Sequence, residues 1–558
     1  MITRRDLLRF GAMSPALHLL SARGIARRIP PAFWDDPHSP WTAPFVQELP
    51  LPRQALALST TSGETRMDIV AEPAQLKLHP HLPASDVWRF RDGLVPKDTW
   101  DMWSLGIGPT IVARMNSPLV VRHHNDLSAG HRGFGVPNLT IHYHGGHLKT
   151  ESDGFPGPVG DFDPIYRPTK WRDYFYPMCD VGTFENKVDE TERPATQWYH
   201  DHLIHYTSQN VYRGLAGFFL VFDELDAGDE TGRTHPDKNL RLPSGDFDLP
   251  LMICDRIIAP NGSLFYPLGN TDGCLGDKYL VNGAIQPFKQ VERRKYRLRL
   301  LNACNARICA FALLDGRGRR IPFDRIGNSG GLFANPIRNQ EYVLLAPAER
   351  ADVVVNFADF PEGTELVLTN LLRQDSGRGP SGTYQEPDLR IQDPILKFTV
   401  RVGPAPSDPS RVPNDLRPFD KIGAQDLAAA QRTEFNFDRK NGSWVINGKA
   451  DDMNAPMKVF ELNKPQIWKL TNKSGGWWHP VHVHLEFMRV LKRNGKPPAL
   501  DEQDGQSKKD LVLLGPNDEV EAFFRFRDFP GMWIFHCHNL EHEDHAMMAR
   551  FDVQKGPL

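Results

Sequence analysis

The sequence predicts an all-β fold. Short runs of branched and aromatic apolar residues recur along the chain, among them Leu119–Arg122, Leu215–Phe222 and Ala351–Asn356, and the alternation in Arg297–Leu301 sends successive side chains to opposite faces. Proline (47) and glycine (45) are frequent but dispersed, the pattern of many strands joined by turns and not of a disordered chain. With 558 residues there is room for three or so domains, each burying its own core.

In chain order, Met1-Ile2-Thr3-Arg4-Arg5 precedes an apolar, small-residue run to Leu20 and small residues between Ala22 and Ala26. Residues 1–26 are therefore expected to be a twin-arginine-type signal peptide, which makes the twin-arginine export machinery a partner and the periplasm or the extracellular space the destination. No later segment has the roughly 18 uninterrupted apolar residues of a membrane span. Residues 27 to about 60 are Pro-rich and expected to wrap a domain as an extended arm. The strand runs group into β domains at 45–228, 229–400 and 401–558, with a charged, turn-rich stretch at 226–248 and a Pro-rich linker from Gly403 to Pro413. The middle domain holds no cluster of metal-ligating residues and is expected to be structural.

The formal net charge of −3 gives no reason to expect nucleic acid as a partner. Of six cysteines, Cys537 sits among histidines; Cys179, Cys254, Cys274, Cys304 and Cys309 remain, an odd number that leaves room for a disulfide whose pairing the sequence does not choose.

Chemistry concentrates at the two ends. Ten of the 21 histidines fall in four clusters: His142-Tyr143-His144, His200-Asp201-His202, His479-Pro480-Val481-His482-Val483-His484, and His536-Cys537-His538 with His542. On a strand, each His-x-His puts two imidazoles on one face about 7 Å apart. In the last cluster His536 and His538 then point one way and Cys537 the other, so one tripeptide can serve two metal sites. Cys thiolate, two imidazoles and the thioether of Met547 are the donors of an electron-transfer copper site. A structural zinc site needs only four ligands, far fewer than are present here.

These clusters, in their order and spacing, resemble those of the multicopper oxidases, over roughly residues 50 to 558. Gly475–His484 and His536–Asp544 are most similar to the bilirubin oxidase and spore-coat laccase branch. The resemblance implies three cupredoxin-like Greek-key β-sandwich domains and four coppers per chain. It assigns His479, Cys537, His542 and Met547 to a type 1 copper, His142 and His482 to a type 2 copper, and His144, His200, His202, His484, His536 and His538 to a type 3 pair. It also implies one-electron oxidation of phenols, aromatic amines or bilirubin-like tetrapyrroles, coupled to four-electron reduction of O2 to water. Asp153 and Glu543 match acidic positions beside the trinuclear centre that handle protons.

Two other functions fit the same resemblance: a periplasmic oxidase of Cu(I) or Mn(II) serving copper tolerance, and a non-enzymatic cupredoxin scaffold. The 13 dispersed methionines speak against the first and the complete ligand set against the second. His123, His124 and His147 are expected to be surface histidines, His545 to lie beside the site or exposed, and Trp477 and Trp478 either to shape a donor pocket or to pack.

Overall fold

Three consecutive stretches of the chain each build a pair of facing sheets. The computed structural model describes residues 38–59, 65–101, 106–384, 394–498 and 508–556. Strands account for 43% of it and helices for 8%, so the all-β expectation holds. The expected signal peptide lies outside the described residues.

The three stretches repeat one topology. In one sheet of each, the long opening strand pairs parallel with a later strand: Thr65–Leu76 with Leu119–Asn125, Asp248–Ile258 with Lys295–Asn302, and Gln431–Lys440 with Pro465–Asn472. In the other sheet an early strand pairs parallel with the last: Ile111–Arg114 with Ala216–Phe222, Phe288–Val291 with Pro394–Val400, and Lys458–Glu461 with Met548–Gln554. The remaining strand pairs among the described residues are antiparallel. Parallel neighbours require a crossover, so each unit is a sandwich closed by crossing connections and not a meander. Inward-facing residues fill each one: Ile69, Tyr143 and Phe219 in the first, Leu251, Phe311 and Val353 in the second, Phe435, Trp468 and Phe535 in the third. A further apolar cluster draws Trp198 and Phe218, Met252 and Leu301, and Leu511 and Leu513 into one seam where all three units meet.

Residues of the Pro-rich arm lie along the middle unit. Ser39 N donates to Asp277 Oδ2 at 2.9 Å, and Phe45 N and Leu49 N donate to the carbonyls of Gln286 and Phe288 at 2.8 and 2.7 Å. The 226–248 stretch has a buried anchor, since Asp226 Oδ2 accepts from Arg297 Nη1 at 2.8 Å. All six cysteines are free, so the structure contains no disulfide among them.

Two strand pairs set up the site. In the first unit Ile141–His144 pairs antiparallel with Thr196–Asp201, with His142 opposite His200. In the third, His479–Val483 pairs antiparallel with Gly531–Cys537, with His482 opposite His536 and Val481 opposite Cys537. Directly opposed side chains share a sheet face at about 5 Å. Register alone therefore gathers imidazoles from four strands onto two facing surfaces.

Candidate metal centre

Cys537 closes the strand Gly531–Cys537, and its fully buried Sγ lies 3.5 Å from Nδ1 of His479 and 3.5 Å from Nδ1 of His542; the two nitrogens are 3.2 Å apart. His479 comes from the neighbouring strand of the same sheet and His542 from the short helix Leu540–Asp544, capped by the Asn539 side chain. The chain then turns back through Ala546 in a left-handed conformation (φ 81°). This return puts Met547 N 3.0 Å from the His542 carbonyl and the Met547 carbonyl 3.0 Å from Cys537 N, with the Met547 side chain buried in the same core as Cys537. The outer nitrogens of the two rings are held as well. His479 Nε2 is 2.8 Å from Ser474 Oγ, and His542 Nε2 is 3.1 Å from the carbonyl of Asp272, a residue of the middle unit. With the outer nitrogen donating, each Nδ1 is left with its lone pair toward the sulfur.

The other eight histidines form one buried group between the first and third units. His202 Nε2 and His484 Nε2 each lie 3.3 Å from His536 Nε2, and His142 Nε2 lies 3.4 Å from His482 Nε2. The rings of His144, His200 and His538 stand 5.1 to 5.7 Å apart, centre to centre. Backbone carbonyls fix several rings from behind: Asp153 holds His142 Nδ1 at 2.6 Å, Asp510 holds His482 Nδ1 at 2.7 Å, and Asp201 holds His200 Nδ1 at 2.8 Å. As strand parity predicts, His536 faces this group while Cys537 faces the other.

Burial, reinforced by neighbouring imidazoles, pushes His144, His200, His482 and His484 well below the ordinary histidine range. Burial alone lowers His479 to about 3, and it lowers His202 and His538 to about 3 against the pull of Glu543. These rings are therefore neutral, the form that binds metal, whereas burial drives the Cys537 thiol up, so that a cation is needed to draw off its proton. Both ring nitrogens of His144 and of His538, Nε2 of His200 and Nδ1 of His202 are buried without a hydrogen-bond partner. Buried polar atoms are nearly always satisfied. Neutral nitrogen lone pairs that face one another at 3.3 to 3.4 Å, in these numbers, fit shared metal cations.

Both predicted acids touch this group. Asp153 Oδ2 accepts from His484 Nδ1 at 2.7 Å, and Glu543 Oε2 lies 3.0 Å from His536 Nδ1. Burial raises the Glu543 carboxyl, but His536 and His202 pull it the other way and hold it below the ordinary range. Sequence reasoning missed the next layer: Ser474 on His479, Asn539 at the cap of the His542 helix, Asp510 behind His482, and Asp272, which reaches His542 from the middle unit, take roles that appear only in the folded chain.

Two expectations need correction. His123 is buried, not exposed, with its ring 5.4 to 5.8 Å from those of Phe90, Tyr174 and Tyr199, because its strand Leu119–Asn125 alternates and His123 takes the inward face. His147 is mostly buried and paired with Asp528 at 2.8 Å, which with Glu486 overcomes burial and raises its pKa. His124 is partly exposed, 3.3 Å from Asp68, and His545 is exposed, its Nδ1 on the Glu541 carbonyl. Trp477 packs edge-on to Trp444 beneath two guanidinium groups, Arg378 at 4.3 Å and Arg439 at 4.9 Å; Trp444 lies 3.9 Å from the His542 ring.

Multicopper oxidase domains match residues 90–226 and 424–557, the two ends that carry the histidines. The chain is 31% identical to a bilirubin oxidase of Albifimbria verrucaria, over 93% of this chain and 83% of that one. The chain belongs to the multicopper oxidases. It is also similar to a laccase of Bacillus subtilis (strain 168), 29% identical over 91% of this chain and 98% of the relative. Among solved structures, a variant of the McoA multicopper oxidase from the hyperthermophile Aquifex aeolicus superposes with a TM-score of 0.71 at 25% identity, covering 91% of this chain and 99% of the other. As a multicopper oxidase the protein is a copper-dependent oxidoreductase with O2 as acceptor, and the family implies four coppers, of types 1, 2 and 3. That rules out the non-enzymatic scaffold. No helix among the described residues is long and apolar enough to cross a membrane.

Proposed function

We propose that this multicopper oxidase is exported by the twin-arginine route and oxidises small aromatic donors: phenols, aromatic amines or bilirubin-like tetrapyrroles. His479, Cys537, His542 and Met547 would hold the type 1 copper. His142 and His482 hold the type 2 copper, and His144, His200, His202, His484, His536 and His538 the type 3 pair. The observation that carries this assignment is Cys537, with its sulfur equidistant at 3.5 Å from two imidazole nitrogens and its own peptide neighbours, His536 and His538, in the other group.

Bound copper supplies reversible one-electron chemistry, so that single electrons from four donor molecules can be collected for O2. The chain supplies the rest. Residues 536 to 538 are the shortest covalent connection between the two donor sets. Asp153, with Oδ1 free of hydrogen bonds, and Glu543 are placed to hold and pass protons, which O2 reduction consumes. The solvent-side layer of Trp477 under Arg378 and Arg439, in contact with Trp444 and so with the His542 ring, suits a flat aromatic donor that bears acidic groups. The names of the relatives, bilirubin oxidase and laccase, support the same donor class.

The Cu(I) or Mn(II) alternative gains nothing from Met453 and Met548, which are packed with Phe155 and Ile534 in a core. The test is to purify the protein, count its copper and follow O2 uptake with a phenol, bilirubin, Cu(I) and Mn(II) in parallel. Four coppers and uptake with the aromatic donors are expected; uptake with the metal ions alone would overturn the donor class. Cell fractionation of an Arg4→Lys/Arg5→Lys variant tests the export route, with cytoplasmic retention expected.

A further inference from the structure

We infer that Arg350, a residue of the middle unit, is a positioning residue for the type 2 and type 3 coppers, acting through Asp510. The inference rests on the copper assignment proposed above. The strands of the middle unit carry no histidine, none occurring between His235 and His479. Its strand Arg350–Asn356 nevertheless sends one guanidinium to the back of the histidine group.

Arg350 is fully buried and uses its whole fork. Nη1 donates to Asp510 Oδ1 at 3.1 Å and Nη2 to Asp510 Oδ2 at 2.6 Å, a bidentate pair. Nη2 also donates to Gln197 Oε1 at 2.5 Å, and Nε to the Thr196 carbonyl at 3.1 Å. The carbonyls of Ser329 and Ala348, both in the middle unit, accept at 2.8 and 2.9 Å and anchor the guanidinium from its own side.

Each outward contact leads to a proposed copper ligand. The Asp510 carbonyl accepts from His482 Nδ1 at 2.7 Å, and its carboxylate oxygen Oδ2 lies 3.6 Å from Nε2 of His144. Thr196 and Gln197 belong to the strand Thr196–Asp201, which carries His200. There is no slack between these parts. Gly145, next to His144 and at φ +92°, has no side chain; a Cβ there would stand 1.9 Å from Gln197 Oε1 and 2.9 Å from Asp510 Oδ2. One guanidinium thus ties the peptide that orients His482, the carboxylate beside His144 and the strand of His200 to the middle unit. Partners that orient metal ligands are commonly worth 10- to 100-fold in metal affinity or activity.

A lysine could neutralise Asp510 but could not span the same fork, because an ammonium is a point donor on a flexible stem. The test therefore uses Arg350→Lys, which leaves no buried carboxylate stranded, and Arg350→Met/Asp510→Asn, which removes both charges together. Copper per chain, the blue thiolate-to-copper absorption, the electron paramagnetic resonance of the copper without thiolate, Tm, and the kcat and KM for a phenol are measured on the full-length, copper-loaded proteins.

The expected result is an undiminished blue absorption and an unchanged KM for the phenol, because Cys537 and Trp477 lie in other layers. With these go an altered type 2 resonance or lost copper and a fall in kcat of about tenfold or more. Both variants matching the wild type, or both losing blue absorption and total copper in parallel with a fall in Tm, would overturn the inference alone. A wild-type protein without four coppers would overturn the copper assignment, and this inference with it.

Discussion

Asp153 Oδ2 accepts a hydrogen bond from Nδ1 of His484 at 2.7 Å, joining residues 331 positions apart, both buried, on the first and third units. The main-chain carbonyl of the same aspartate holds His142 Nδ1 at 2.6 Å. One residue thus orients two rings through two different groups. Asp153→Asn keeps the carbonyl contact and removes the negative charge and the proton site. Its turnover should fall about 10- to 100-fold with the blue absorption intact, as for other partners of metal ligands. Steady-state O2 uptake beside an absorption spectrum checks this, and wild-type turnover would exclude Asp153 from proton handling.

Cys537 touches both proposed type 1 imidazoles, and it is the one thiol on its strand. Cys537→Ser should abolish the blue absorption and turnover, while the folded protein retains copper on the histidine group. Copper analysis and the visible spectrum together decide it; measurable oxidase activity in this variant would sink the assignment.

Arg378 lies over Trp477 at 4.3 Å, and among the described residues no carboxylate pairs with it. Its guanidinium is available to an acidic donor. Arg378→Gln should raise the KM for bilirubin several-fold, to about tenfold, the loss of roughly one charge-assisted hydrogen bond. The KM for an uncharged phenol should stay within about twofold, because the aromatic surface remains. Equal effects on both donors would remove Arg378 from donor selection.

His123 gives a prediction about pH. Burial first, and the neighbouring His124 second, depress its pKa from 6.5 to about 3. The unfolded chain therefore binds a proton below pH 6.5 that the folded chain refuses until about pH 3. The sign follows: stability is full above the unfolded value and is lost as pH falls through that window, by up to about 1.4 kcal/mol per pH unit from this group. His123→Phe, which keeps an aromatic ring among Phe90, Tyr174 and Tyr199, should flatten the decline of Tm between pH 6.5 and 4. An unchanged slope would show that other buried groups dominate acid sensitivity.

Much of the site was legible in the sequence because its ligands come as short motifs on strands, where a period of two fixes which side chains share a face. The opposite facing of Cys537 and His536 follows from that period alone. His123 was misjudged for a related reason: His123-His124 gives one inward and one outward imidazole on any strand, and which is which depends on the sheet's buried face.

What the sequence determined by itself is the all-β class, the ten clustered histidines and Cys537, and the opposite facing of Cys537 and its neighbouring histidines, all of which depend on neighbours within a few residues. What only the tertiary structure decided is how those pieces are held. His484 depends on Asp153, His542 on the carbonyl of Asp272, and His482 on Asp510 and through it on Arg350. The physical reason is that a hydrogen bond acts over about 3 Å of space, however many residues of chain lie between its partners. A carbonyl from a unit whose strands carry no histidine can thus orient a ring of the site and leave no trace in the local sequence.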